Sequence, residues 1–212
     1  MGTLIVGDVH GCAEELATLV RAVQPERLVL VGDLYTKGPD PAGVWALVRD
    51  HGARAVLGNH DARLQDVLVG RRKRDEAALR CVATLDAADR GWRAHLDALP
   101  LFLDVAGVTV VHAGLHPSGS LERTTREAAI SMRRWPGTGP ADPPWTSVYE
   151  GDRVVVYGHD AKRGLARVER GGRPLLVGLD SGCVYGGALT GWIPEEDRYV
   201  SVPARRVWEA VG

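Results

Sequence analysis

The sequence predicts an α/β fold in which a parallel sheet wound with crossover helices comes first and a run of short strands follows. Three observations predict it. From Met1 to about Asn59 an apolar strand, a polar turn containing glycine and an amphipathic helix recur, the alternation that gives parallel strands joined by crossovers. The stretch from Arg71 to Leu99 has helical patterning and no strand. From Pro100 onward the character turns to β.

Leu4-Ile5-Val6 is the first strand and runs into Gly7-Asp8; after it, Glu14 to Val23 sets Leu16, Leu19, Val20 and Val23 on one helical stripe. The second strand, Leu28 to Val31, runs into Gly32-Asp33, then a turn holding Pro39 and Pro41, then a helix near Ala42 to Asp50. Arg54 to Leu57 is the third, ending in Gly58-Asn59-His60-Asp61, with a helix from Ala62 to about Val69. The strand-free stretch, about 71–99, is expected to be a small helical cap inserted in the domain, its Arg71-Arg72-Lys73-Arg74 run a solvated helix face. Later strands are expected at Leu101 to Val105, Val108 to His112, Val154 to Tyr157, Leu165 to Arg170, Pro174 to Leu179, Leu189 to Ile193 and Tyr199 to Val202. Between them Trp135 to Trp145, rich in Pro and Gly, reads as a long surface loop of the kind that often carries function.

The 212 residues suffice for one large core and fall short of two ordinary domains, so 1–212 is expected to fold as one. A formal net charge of −1 gives no global attraction to nucleic acid or to an anionic membrane, though a local basic groove stays open. No apolar run is long enough to span a bilayer, and the N-terminus lacks the layout of a signal peptide. Cys12, Cys81 and Cys183 show no CxxC spacing and read as free, buried thiols in a reducing compartment. A cytoplasmic enzyme with no membrane partner is the expectation.

Five short motifs carry the chemistry: Gly7-Asp8-Val9-His10-Gly11, Gly32-Asp33, Gly58-Asn59-His60-Asp61, His112-Ala113-Gly114 and Gly158-His159. Singly each has an ordinary reading, as a turn, an N-cap or a satisfied core histidine. Their shared place at strand ends is the informative part, because loops beyond the carboxyl ends of strands converge on one crevice. Asp8, His10, Asp33, Asn59, His112 and His159 could there surround metal. Carboxylates, an amide oxygen and imidazoles without thiolate suit Mn, Fe, Co or Zn. A pair of such ions about 3.5–4 Å apart clamps the attacking and leaving oxygens of an in-line displacement and lowers the pKa of bound water. Asp33, central in order, fits a bridge, and His60 beside it would be free to protonate the leaving oxygen. His51, His95 and His116 read as surface or helix-end residues.

This motif order resembles the calcineurin-like metallophosphoesterases, and within them the phosphoprotein phosphatase superfamily, from Gly7 to about Trp192. The segment Gly178 to Thr190 is similar to the end of the domain in symmetrical diadenosine tetraphosphatases (ApaH) and ApaH-like phosphatases. The resemblance implies an α/β/β/α sandwich, two mixed sheets flanked by helices. It also implies two divalent cations, with Mn first among Mn, Co, Fe and Zn. Asp8, His10 and Asp33 would hold one; Asp33, Asn59, His112 and His159 would hold the other, with His60 as general acid.

One departure narrows the class. Protein Ser/Thr phosphatases carry Gly-Asp-x-x-Asp-Arg-Gly at the second motif, where this chain has Gly32-Asp33-Leu34-Tyr35-Thr36-Lys37-Gly38. Lys37 can bind phosphate as a point charge but cannot fork as arginine does, and Thr36 cannot orient His60 as an acid would. Asp61 either takes over that orientation or caps the helix. Arg133, in Met132-Arg133-Arg134-Trp135, resembles the Met-Arg element of the ApaH group and is the second phosphate-binding candidate, with a solvated helical arginine as the plain alternative. Lys162 and Arg163 could line the same groove. The first expectation is hydrolysis of nucleoside polyphosphates: diadenosine tetraphosphate, nucleotide-capped RNA 5′ ends or polyphosphate. A protein Ser/Thr or Tyr phosphatase is the alternative, and a non-catalytic nucleotide-binding module the lesser one.

Overall fold

The structure, a computed structural model, describes residues 2–73 and 75–210; Arg74 of the basic run, and Met1, Val211 and Gly212 of the expected domain, lie outside it. Two five-stranded mixed sheets stack on each other. The first has the order β10-β9-β1-β2-β3, built from β1 (Thr3–Val6), β2 (Arg27–Leu30), β3 (Arg54–Ala55), β9 (Ala188–Ile193) and β10 (Arg198–Pro203). The second has the order β4-β5-β6-β8-β7, from β4 (Phe102–Val105), β5 (Val108–Val111), β6 (Val155–Tyr157), β7 (Ala166–Arg170) and β8 (Arg173–Gly178). In the first sheet β1, β2 and β3 run parallel, and in the second β5, β6 and β8 do. The sandwich expected from the resemblance is the one observed.

Strand periodicity explains how each sheet is buried on both sides. Ile5, Val29, Val31, Val110, Val156 and Val177 point between the sheets. Their neighbours Leu4, Val6, Leu28 and Leu30 point outward from the first sheet, under helices α1 (Ala13–Val23), α2 (Pro41–Asp50), α4 (Glu76–Ala88) and α5 (Gly91–Asp97). Val111, Val155 and Leu176 point outward from the second, under the short helix α6 (Arg126–Ser131) and the rings of Trp145 and Tyr149. Helix α3 (Asn59–Leu68) lies between these groups, with Leu64 in one core and Ala62 in the other. No described helix is long and apolar enough to cross a membrane.

Several expected boundaries move, each for a physical reason. The second strand stops at Leu30 because the Val31 carbonyl accepts from His112 Nδ1, at 2.7 Å, instead of from a sheet neighbour. The third shortens to two residues, since the Leu57 N–H turns away to the Pro100 carbonyl. Helix α3 begins at Asn59, not Ala62, so the Gly-Asn-His-Asp motif is its first turn and not a loop before it. Arg71, Arg72 and Lys73 are exposed as expected but form a bend between α3 and α4 and not a helix face. Arg133 follows α6 in a bend, outside any helix.

Candidate metal centre

The carboxyl ends of all six parallel strands meet at one edge of the sandwich, around a cavity of about 450 Å³ lined by Asp8, His10, Asp33, Asn59, His60 and His159 among others. Tight backbone gathers them there. His10, Asp33, Lys37 and His159 all lie in the left-handed region, with φ of 46°, 54°, 70° and 71°, conformations that concentrate at functional sites. Two glycines allow close approaches: a Cβ on Gly58 would strike the Asp33 backbone and carboxylate, and one on Gly158 the Asp8 carboxylate.

Asp33 stands at the meeting point. Its Oδ2 lies 3.4 Å from His10 Nε2, and its Oδ1 lies 3.6 Å from His112 Nε2. The His60 N–H, at the N-terminus of α3, donates to Asp33 Oδ1 at 2.8 Å. Asp8 accepts the His159 N–H at 3.1 Å, tying the first sheet to the second. Two groups of potential ligand atoms share Asp33: His10, Asp33 and His60, and Asp8, Asp33 and His112.

The histidines are already dressed as ligands. His112 Nδ1 donates to the Val31 carbonyl at 2.7 Å, and His159 Nε2 donates to the Ser131 carbonyl at 3.1 Å. In a neutral ring that leaves the other nitrogen as a bare lone pair. Both lone pairs face Asn59 Oδ1, His112 Nε2 at 3.1 Å and His159 Nδ1 at 3.0 Å. Acceptor facing acceptor is unfavourable unless a cation lies between, and a carbonyl behind each ring is the usual outer support of a metal-bound imidazole. His10 Nδ1 is buried with no hydrogen-bond partner among the described residues.

Electrostatics point the same way. Burial first, then the neighbouring carboxylates Asp180 and Asp33, push the Asp8 carboxyl well up. Burial lifts Asp33 to about 6 against the opposing pull of the His60 N–H and Lys37. Asp180, buried beside the same cavity, rises to about 6 for the same first reason. Burial lowers His60 to about 3, helped by Lys37 and Arg63, and lowers His159 to about 2, helped by His112. Neutral imidazoles around uncompensated carboxylates are a donor set that a divalent cation would neutralise. The residues present therefore fit metal.

The other candidates divide. Lys37 reaches the cavity, its Nζ 3.5 Å from His10 Nε2. Arg133 lines it too, but its guanidinium is partly engaged, donating to the His159 carbonyl at 3.0 Å and lying 3.6 Å from Asp160. Lys162 lines the cavity, whereas Arg163 turns to Thr146. Asp61 does not orient His60: its carboxylate accepts the N–H groups of Asp33, Leu34 and Gly58 at 2.7, 3.0 and 3.2 Å. The group that does meet the His60 ring is Arg63, with Nη1 3.4 Å from Nε2. Arginine can only donate, so in that contact the ring hydrogen belongs to Nδ1. His51 caps the end of α2, His95 meets the Tyr35 hydroxyl at 3.2 Å and His116 bonds Ser118. Sequence reasoning assigned no role to Asp180 or Tyr185, although both lie in the Gly178 to Thr190 segment it singled out.

A sequence model of the calcineurin-like phosphoesterases matches residues 1–187. The asymmetrical bis(5′-nucleosyl)-tetraphosphatase PrpE of Halalkalibacterium halodurans is 31% identical over 95% of this chain and 94% of its own. The symmetrical bis(5′-nucleosyl)-tetraphosphatase of Serratia proteamaculans is 29% identical over 97% and 95%. A crystal structure provisionally named a diadenosine tetraphosphatase superposes with a TM-score of 0.81 at 36% identity, covering 96% of this chain and 94% of that one.

Proposed function

The chain belongs to the calcineurin-like phosphoesterases, metal-dependent hydrolases, and on that premise we propose that it cleaves phosphoanhydride bonds of nucleoside polyphosphates in the cytoplasm. Asp8, His10 and Asp33 would hold one divalent cation, and Asp33, Asn59, His112 and His159 would hold a second, with manganese as the first choice. The observation that carries the two-cation reading is the pair of bare imidazole nitrogens, on His112 and His159, aimed at Asn59 Oδ1 beside a carboxylate that touches His10 on its other side. When bound, the cations supply a nucleophile at neutral pH by acidifying water and neutralise charge on the phosphoryl oxygens.

The side chains do the remainder. Lys37 and Arg133 hold the anionic phosphate chain over the centre. His60 stands beside Asp33 to protonate the departing oxygen. Its resting ring is neutral because burial and Lys37 hold its pKa at about 3; an anionic phosphate chain raises that proton affinity as it arrives. Water adds to phosphorus and gives up a proton, the bridging oxygen leaves with the electron pair of the broken P–O bond, and it takes a proton from the protonated His60 ring, which the water's proton restores.

Both tetraphosphatase relatives, symmetrical and asymmetrical, support a dinucleoside tetraphosphate as substrate, with nucleotide-capped RNA ends and polyphosphate as chemical cousins. Turnover of diadenosine tetraphosphate, capped RNA and a phosphopeptide, measured side by side with Mn²⁺, tests this. Anhydride cleavage well above phosphopeptide cleavage is expected. The reverse order would make the chain a protein phosphatase, and inertness toward every phosphate would make it a binding module.

A further inference from the structure

Lys37 and Tyr185 reach the cavity from loops 148 positions apart in the chain and meet there, Lys37 Nζ lying 2.6 Å from the Tyr185 hydroxyl. The same ammonium lies 5.0 Å from the centre of the Tyr185 ring. An ammonium has hydrogens and no acceptor, so lysine donates in this bond and the phenol accepts. The phenolic hydrogen is thereby left to point elsewhere, and the ammonium keeps hydrogens of its own.

We propose that Tyr185 is a substrate-binding residue which, paired with Lys37, forms a two-pronged grip on one phosphoryl group. The proposal rests on reading the cavity as a phosphohydrolase site. A guanidinium offers two parallel donors from a single side chain, whereas an ammonium offers a point charge with no fixed fork. Here two side chains make the fork: the ammonium and the phenol stand side by side at 2.6 Å, next to His10, in the cavity that Asp8 and Asp33 also line. The lysine supplies charge and the tyrosine supplies direction.

The Tyr185 loop is built to hold that position. Tyr185 ends a single 3₁₀ turn, Cys183–Tyr185, whose other two residues are buried. Glycines with φ of 70° and 90° flank the turn at Gly182 and Gly186. Its base is pinned by the Gly182 N–H to Asp180 at 3.1 Å, by the Ser181 hydroxyl to the Ala188 carbonyl at 2.6 Å, and by the Trp208 N–H to the Val184 carbonyl at 3.0 Å. Little ordering is then left to occur when phosphate arrives.

Calorimetric binding of inorganic phosphate to the manganese-loaded enzyme tests the grip without depending on which substrate is cut. Tyr185→Phe keeps the ring and removes the hydroxyl. It is expected to weaken phosphate binding about tenfold, as for one hydrogen bond to a charged group, with metal content and melting temperature unchanged. The deciding arm repeats Tyr185→Phe on a Lys37→Arg background. There the guanidinium forks by itself, so the loss is expected to shrink to less than about threefold. An equal loss in both backgrounds would reduce Tyr185 to a packing residue and overturn the proposal. A loss confined to diadenosine tetraphosphate, with phosphate binding intact, would overturn it in favour of a nucleobase contact. Failure to cleave any anhydride would remove the proposed substrate, while phosphate binding by the Tyr185 variants would still decide whether the grip exists.

Discussion

Asp33 touches His10 through one oxygen and His112 and the His60 N–H through the other, so losing its carboxylate disables both halves of the centre together. Asp33→Ala is expected to drop turnover to the assay background and to strip bound manganese, while His60→Ala slows turnover by about 10²–10⁴-fold and keeps its metal. Elemental analysis beside single-turnover kinetics reads both. Wild-type metal content in Asp33→Ala would sink the shared-ligand assignment. These residues were legible because each stands just past a short apolar strand with a glycine within two positions, a local pattern. Arg63 against the His60 ring and Tyr185 against Lys37 were not legible. Each contact depends on where a side chain turns after the fold has closed, and Tyr185 is carried in by a loop from the far end of the chain.

Helix α3 shows how one element assembles the site. Its first turn carries Asn59 and His60 and donates the His60 N–H to Asp33, while Asp61 at its third position accepts three N–H groups, among them that of Asp33. Helix start and Asp33 loop thus hold each other. Asp61→Ala leaves those buried N–H groups without partners and is expected to cost about 3 kcal/mol of stability, measured by urea unfolding, with turnover falling as the loop loosens. An unchanged unfolding midpoint would refute the reciprocal lock. The sequence suggested Asp61 as a cap, yet placed the helix start later, since Gly58-Asn59-His60-Asp61 is also good turn chemistry and only the Asp61 bonds decide between the two. The short α6 has too few residues for an apolar period to register, and Arg71, Arg72 and Lys73 are exposed in a bend.

Over the whole molecule, the two sheets were visible as a parallel beginning and a β-rich remainder. Their stacking was not, because it depends on which face of each apolar strand meets which, and strands buried on both faces do not advertise a side. The folded chain without cations keeps protons that the unfolded chain gives up: Asp33 and Asp180 titrate at about 6 and Asp61 at about 7. Raised carboxyl pKa values mean that their stabilising share, full below about pH 4, is lost as pH rises through 6 to 7. The lowered imidazoles of His60 and His159 work oppositely, contributing above about 6.5 and losing that share as pH falls. A divalent cation prefers ionised carboxylates and neutral imidazoles. Manganese should therefore raise the melting temperature more at about pH 7.5 than at about pH 5.5. A larger shift at the acidic pH would contradict the donor set.

The placement of β9 has a consequence for how the molecule is made. This strand pairs with β1 from the other end of the chain, and His159 closes onto Asp8 from 151 positions away. A ribosome that has passed the start of α3 has delivered Asp8, His10, Asp33 and Asn59, but neither the imidazoles of the second sheet nor the partner that flanks β1. On the proposed assignment the second cation site would therefore be completed late in biosynthesis, since a half-made chain carries Asp33 and Asn59 without the imidazoles of His112 and His159.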